Sequence, residues 1–308
     1  MKNILIGSDG FVGTNLRTRK NHEYCSFDNG FLKKELNSET LFLDITGDMS
    51  AIETNFKEAK GNFNVINLAA IHHIPYCNAN PSEAMMVNVM GNLRLYELAA
   101  KYDCSKFIFA SSGAVYDPGE KSHTELDRTI SSDVYSATKI LAESQLQASL
   151  KVLGVPVVIL RFFNIVGAYD LTPHLVPDIV DQVLDESLTE IRLGNLSTKR
   201  DYIGVDNICS VIEHFLNSRH HVDLNIVNVG TGEDITIKEL AKMIADITSF
   251  KGEILWNIDK PDGTYQKLLD VSKLGNLGWQ SKISLSDGLK MTYKDYKKEL
   301  QENSLRSK

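Results

Sequence analysis

The sequence predicts an α/β protein organised as a doubly wound parallel sheet, with a smaller α/β substrate-binding region towards the C-terminus. Three observations predict it. An apolar run from Lys2 to Ile6 leads directly into Gly7-Ser8-Asp9-Gly10-Phe11-Val12-Gly13, a strand followed by a glycine turn and a helix start. Short apolar runs then alternate with helical patterns as far as Leu160, the rhythm of βαβ units. Late in that rhythm stands Tyr135-Ser136-Ala137-Thr138-Lys139, a tyrosine and a lysine one helical turn apart. Together they give a Rossmann-type domain over residues 1–165, to which later strands return at about 200–230, and a mainly substrate-binding region over 166–308.

Composition sets the outer bounds. A net charge of −7 over 308 residues gives no general electrostatic reason to bind nucleic acid or an acidic membrane. No apolar run approaches the roughly 20 residues that span a bilayer. Met1-Lys2-Asn3-Ile4 enters a strand instead of a signal-peptide pattern, so a cytoplasmic location is expected. Cys25, Cys77, Cys104 and Cys209 are widely spaced, which predicts buried, reduced thiols and no metal site.

Taken in order, the glycines at 7, 10 and 13 permit a tight turn, close approach of backbone to a pyrophosphate and close helix–strand packing. The helix opened by Phe11 and Val12 would aim its first amides at the phosphates. The spacing Gly-x-x-Gly-x-x-Gly departs from the Gly-x-Gly-x-x-Gly fingerprint. A second strand ends near Asp28, whose carboxylate would accept from adenosine ribose hydroxyls and repel a 2′-phosphate. NAD(H) is therefore expected over NADP(H), with some NADP(H) use left open. Asp28 also opens a turn with Asn29 and Gly30, and Asn29 joins the expected cofactor set. A strand over 41–45 would bring Asp44 and Ile45 beside the adenine. A buried strand over 65–70 ends in Leu68, Ala69 and Ala70, small enough for a cofactor to lie across. A helix over 81–102 carries Asn88, counted with the same set. The strand Lys106–Ser112 ends in two hydroxyls, and Ser112 would either reach a substrate oxygen or simply cap the strand.

A free phenol has a pKa of roughly 10 and shuttles protons poorly at neutral pH. A neighbouring ammonium stabilises phenolate, so Lys139 is expected to lower the pKa of Tyr135. Beyond a strand over 155–160 the pattern loosens. A helix is expected over 175–188, strands over 190–193 and 199–203, and a solvated helix and frayed tail from Lys294. His72 and His73 are expected to be structural.

In this order, Gly7/Gly10/Gly13, Asp28, Asn67-Leu68-Ala69-Ala70, Ser111-Ser112, Tyr135/Lys139, Arg161-Phe162-Phe163-Asn164 and Arg200-Asp201-Tyr202-Ile203 resemble the extended short-chain dehydrogenase/reductases that act on nucleotide sugars. The resemblance covers nearly the whole chain. It implies a bound nicotinamide, Tyr135 as acid/base on a sugar oxygen with help from Ser112, and Lys139 on the nicotinamide ribose. It places Gly113, Asn164, His174, Leu175, Arg200 and Lys260 at the sugar or diphosphate of a dTDP-, GDP- or UDP-linked substrate. A surface ion pair between Arg200 and Asp201 is the plainer alternative for that arginine. A homodimer through helices at 83–102 and 135–153 is also implied.

Dehydratases of that family carry an acidic pair just after the strand-end hydroxyl. Ser112-Gly113-Ala114-Val115-Tyr116 has no carboxylate, which argues against dehydration. This segment and Asp28-Asn29 resemble the NAD-dependent 4-epimerases. Lys260-Pro261-Asp262-Gly263-Thr264, the run from Lys267 to Leu274, and Pro173-His174-Leu175-Val176-Pro177 resemble the GDP-L-fucose synthases instead. The catalytic cysteine of those synthases falls at Gly113, so 3,5-epimerisation is not expected. The first expectation is an NAD(P)H-dependent reductase of a nucleotide-diphospho-4-keto-6-deoxyhexose. The alternative is a 4-epimerase of UDP-glucose or UDP-N-acetylglucosamine type. A non-catalytic nucleotide-binding protein on the same fold is the reading from another class.

Overall fold

A strand covered on both faces must be apolar on both, and Lys2–Ile6 meets that condition: Ile4, Leu5 and Ile6 are each 1% exposed or less. It lies inside a seven-stranded parallel sheet in the order Leu224–Val229, Val157–Phe162, Lys106–Ser112, Phe63–Asn67, Lys2–Ile6, Tyr24–Asp28, Thr40–Phe42. From Lys2–Ile6 the chain winds outward through the second and third strands, then returns to Phe63–Asn67 and winds the other way. Its switch point is therefore the crevice at the carboxyl ends of Lys2–Ile6 and Phe63–Asn67, where ligands bind in open α/β sheets. This is the doubly wound sheet expected from the sequence.

The computed structural model describes residues 1–31, 35–117, 119, 121–170, 172, 174–185, 188–194, 197–218, 224–257 and 265–301. The chain forms two units. The first holds the sheet and comprises Met1–Asp117, Glu125–Phe162 and Cys209–Val229; the second comprises Pro118–Thr124, Phe163–Ile208 and Gly230–Lys308. Beneath one face of the sheet, Phe27, Phe56, Phe63, Tyr96 and Phe107 are fully buried with Ile4, Val65 and Ile159. Tyr96 meets Phe107 edge-on at 5.3 Å and donates to the Val155 carbonyl at 2.7 Å, so a large ring is buried without an orphaned hydroxyl.

The second unit has a four-stranded sheet in the order Ile235–Thr236, Lys199–Arg200, Gln266–Leu269, Ser122–His123. Two further parallel pairs join Asn164–Val166 to Tyr202–Gly204 and Glu190–Gly194 to Glu253–Asn257. Its core is built from Ile179, Ile191, Leu240, Ile244 and Tyr296.

Several elements differ from expectation for identifiable reasons. The helix over 81–102 is continuous but contains a π-helical stretch, Met86–Gly91, between Pro81–Met85 and Asn92–Lys101, and Asn88 in it is buried. The strand expected over 199–203 breaks into Lys199–Arg200 and Tyr202–Gly204 in different sheets. Asp201 lies at the break, fully buried, accepting from the Thr231 amide and hydroxyl and the Gly232 amide. The third strand stops at Phe42, which leaves Asp44 in a turn closed by its bonds from the Thr46 amide and hydroxyl. The C-terminal helix Leu285–Gln301 is not merely solvated. It buries Leu289 and Tyr296, and the Tyr296 hydroxyl donates to the Asp170 carbonyl at 3.2 Å. Cys77, Cys104 and Cys209 are buried, whereas Cys25 is half-buried.

Truncating Phe107 to Ala should cost about 3–5 kcal/mol by leaving a cavity against Tyr96. The check is the denaturant midpoint at unchanged m-value.

Candidate active site

Three consecutive residues at the end of the strand Lys106–Ser112 receive three side chains from one helix, Val134–Leu153. Tyr135 is hydrogen-bonded to Ser112. Lys139, one turn later, donates from Nζ to the Ala110 carbonyl at 2.7 Å. Glu143, another turn on, accepts from Ser111 Oγ at 2.5 Å. The helix start is fixed by a capping box, in which Asp133 accepts from the Ser136 amide at 2.7 Å and Ser136 Oγ accepts from the Asp133 amide at 3.1 Å. Ser112 Oγ accepts from the Ala114 amide at 3.1 Å, turning the chain through Gly113–Val115. Ser112 therefore caps the strand end, the plainer of its two readings, and stands beside the phenol.

Electrostatically the pair differs from expectation. Burial pushes the Tyr135 phenol up to about 12, more than the Ser112 hydrogen bond lowers it. Lys139 does not offset that rise, because its Nζ is engaged by Ala110 and sits 4.9 Å from the Phe109 ring centroid and 5.8 Å from that of Tyr135. Lys139 itself is 2% exposed. Burial pulls its ammonium down to about 8, against the raising effect of Glu143 and Cys77. At neutral pH the site thus presents a neutral phenol beside a charged lysine.

The switch point fits a nicotinamide dinucleotide. Gly7 has φ +78°, and a Cβ there would lie 2.8 Å from the Ala69 amide nitrogen, so the turn touches the end of the neighbouring strand. A Cβ on Gly13 would lie 2.2 Å from the Gly7 carbonyl oxygen. The helix Phe11–Thr18 has no side-chain cap at Gly10, so the first amides, at Phe11 and Val12, are left to an anion. Asp28 stands at the next strand end, accepting from the Asp9 amide at 3.0 Å and the Gly30 amide at 2.9 Å, which orients its carboxylate and leaves lone pairs for ribose hydroxyls. Asn29 caps its own turn by accepting from the Phe31 amide. Leu68, Ala69 and Ala70 are half-buried just past Phe63–Asn67. Ile45 is buried, and its carbonyl accepts from Arg94. Asn88 is 1% exposed, with its amide bonded to both backbone groups of Ile71 and to Thr138 Oγ1, so it braces the loop after Ala70 against the catalytic helix.

In the second unit, His174 precedes the helix Leu175–Leu184, and its Nε2 lies 2.6 Å from Oδ2 of buried Asp170. Leu175 packs on the core. Asn164 donates to the Asp201 carbonyl at 2.9 Å. Arg200 does not pair with Asp201, whose carboxylate is taken by Thr231 and Gly232. It donates from Nη1 to the Lys199 carbonyl at 2.7 Å and meets no carboxylate within 4 Å among the described residues. Lys260 and its neighbours through Thr264 lie outside the described residues.

Sequence reasoning missed a buried polar cluster. Arg161 donates from Nε and Nη2 to the two Glu143 oxygens at 3.0 and 2.6 Å, and from Nη1 to the Tyr116 hydroxyl at 2.7 Å. Tyr116 donates in turn to Asn228 Oδ1 at 2.5 Å. A glutamate four positions after Lys139 on the same helix face was the available signal. Asp9 was also passed over. Its carboxylate accepts from the Asn37 amide at 2.7 Å and Thr40 Oγ1 at 2.8 Å and pairs with Arg17, pinning the glycine turn. Among the described residues no group of side chains forms a metal site, and no helix is long and apolar enough to cross a membrane.

The match to known proteins follows this geometry. Residues 4–230 match the NAD dependent epimerase/dehydratase family, and the chain belongs to that family. A putative UDP-glucose 4-epimerase of Methanocaldococcus jannaschii is 27% identical over 93% of this chain and 95% of its own length. GDP-L-fucose synthase 1 of Arabidopsis thaliana is also 27% identical, over 96% of this chain and 93% of its own. The crystal structure of a UDP-glucose 4-epimerase from Thermotoga maritima with UDP-glucose superposes with a TM-score of 0.86 at 25% identity, covering 97% of this chain and 100% of that one.

Gly13→Ala should weaken NAD(H) binding by about tenfold or more, since the turn must move to admit the methyl group. Fluorescence titration with NADH checks it, with the melting temperature as a control for folding.

Proposed function

We propose that this member of the NAD-dependent epimerase/dehydratase family is a reductase of a nucleotide-diphospho-4-keto-6-deoxyhexose. The observation that carries the reading is a neutral Tyr135 hydrogen-bonded to Ser112, on a strand end followed by Gly113 and Ala114 and not by an acidic pair. That arrangement donates a proton to a carbonyl oxygen but offers no carboxylate there for removing water. When bound, reduced nicotinamide supplies the hydride for C4. Tyr135 Oη gives its proton to O4, and Ser112 bonds the same oxygen. The phenolate left behind is stabilised by the Ser112 hydroxyl, and Lys139 holds the nicotinamide ribose.

Cofactor contacts are assigned to Gly7, Gly10, Phe11, Val12, Gly13, Asp28, Asn29, Asp44, Ile45, Leu68, Ala69 and Ala70, with Asn88 behind them. Arg200 suits the substrate diphosphate, because its fork matches phosphate oxygens and no carboxylate already neutralises it among the described residues. Gly113, Asn164, His174, Leu175 and Lys260 complete the substrate set. The similarity to GDP-L-fucose synthase 1 over nearly the whole chain supports a keto-sugar substrate. A homodimer would use the helices of the first unit that expose Met86, Met90 and Leu141.

One observation favours a second reading. The backbone matches a UDP-glucose 4-epimerase across 97% of the chain, and the same Tyr135, Ser112 and Lys139 would serve a 4-epimerase holding NAD tightly. Purified protein given a GDP- or dTDP-4-keto-6-deoxy sugar with NADH or NADPH separates them. Stoichiometric nicotinamide oxidation with a 4-hydroxy product is the expected result. Interconversion of UDP-glucose or UDP-N-acetylglucosamine with its 4-epimer, without net oxidation, would replace the reductase by the epimerase.

Tyr135→Phe should abolish turnover while NADH binding stays within about twofold; unchanged turnover would remove Tyr135 from the chemistry. The pH dependence has a definite sign. Lys139 carries its charge below about 8 and loses it above, whereas Tyr135 stays protonated up to about 12. The value of kcat/KM should therefore fall as pH rises through about 8, a limb that Lys139→Met should not show.

A further inference from the structure

We propose that Glu143 is a positioning residue of this active site, a buried carboxylate that keeps Lys139 charged where the fold has stripped it of water. The proposal rests on the acid–base reading of Tyr135 and Lys139. Its basis is the register of helix against strand. Tyr135, Lys139 and Glu143 occupy successive turns of Val134–Leu153, and they engage Ser112, Ala110 and Ser111 in turn. Glu143 is thus the third member of the constellation that holds the other two at the strand end.

Burial makes that place chemically consequential. Glu143 and Lys139 are each 2% exposed, so neither charge is answered by solvent. The groups that face Lys139 are few. On its own helix they are Tyr135 and Glu143; from Lys106–Ser112 come the Phe109 ring and the Ala110 carbonyl; from the helix Ile74–Ala79 comes the thiol of Cys77. Among the described residues of this set, Glu143 is the carboxylate. Arg161, from the neighbouring strand Val157–Phe162, clamps both Glu143 oxygens and is itself held by Tyr116, so the carboxylate is fixed in place. A structural ion pair would need only Arg161 and Glu143. The added bond from Ser111, beside Ser112 in the strand, ties that pair to the reacting end of the sheet.

The test reads Lys139 directly. In full-length protein labelled at the lysine side-chain carbons or nitrogens, NMR follows the Lys139 signal with pH, assigned by its loss in Lys139→Met. The wild-type midpoint should lie near 8. Glu143→Gln should lower it by about one pH unit or more, a tenfold loss of proton affinity, and Glu143→Asp should restore most of the difference. A folded Glu143→Gln protein with an unmoved midpoint overturns the proposal. Because Glu143→Gln leaves Arg161 without its carboxylate partner, it is paired with a second variant, Glu143→Leu/Arg161→Met, that removes both charges. A fall is expected there too, smaller because the opposing Arg161 charge is removed with Glu143, and an unmoved midpoint there is equally fatal. The readout needs no turnover. Retained turnover in Tyr135→Phe would defeat the acid–base reading, and the Lys139 titration would still decide the part played by Glu143.

Discussion

A lysine ammonium can be buried only if its neighbours replace the water it has lost, and much of the first unit is arranged to do that for Lys139. The Ala110 carbonyl and the Phe109 ring meet it, and the Glu143 carboxylate stands one helical turn away. Each depends on a different part of the fold. The carbonyl is available because Lys106–Ser112 is pairing its last residues with Val157–Phe162. The carboxylate is held in place because Arg161, on that neighbouring strand, donates to both of its oxygens. The helix brings its side chains to this point because the Asp133–Ser136 box fixes where it starts. A shift of one residue in strand register or helix start would separate all three partners at once.

The sheet, the glycine turn, Asp28, Ser112 and the Tyr135/Lys139 pair were legible in the sequence because each is a local signal. Period and punctuation mark them within a few residues. Three kinds of feature were not. The π-helical stretch at Met86–Gly91 leaves no mark in an otherwise ordinary helical pattern, although it accompanies the inward turn of Asn88. The break at Asp201 depends on Thr231 and Gly232, distant in sequence. The rise in the Tyr135 pKa reflects how much chain covers the phenol, which spacing to a lysine does not encode. Glu143 lies between these cases. Its position one turn beyond Lys139 was visible, but its significance comes from Ser111 and Arg161.

Arg200 and Asp201 show how neighbouring opposite charges can take separate tasks. Next to each other in the chain, they offer a surface pair as the plainer alternative. The break in the strand at Asp201 instead sends them to different places. Asp201 is consumed by the turn at 230–232, where its desolvated carboxyl is raised by burial and held by three donors from Thr231 and Gly232. Arg200 is left half-buried, with burial lowering its pKa and guanidinium donors to spare. An ion pair between them would have satisfied both and left neither available.

The order in which the sheet is assembled from the chain has a consequence for biosynthesis. Its outermost strand, Leu224–Val229, pairs with Val157–Phe162, yet Phe163–Ile208 between them belongs to the other unit. As the polypeptide leaves the ribosome, Val157–Phe162 must wait as an exposed sheet edge until the last strand emerges. Asn228, which anchors Tyr116 and through it Arg161, arrives only then. Long-range parallel pairings of this kind fold slowly and leave edges open to association in the interval. The groups around the buried lysine are thus among the last parts of the first unit to be completed, and no single cut in the chain releases that unit whole.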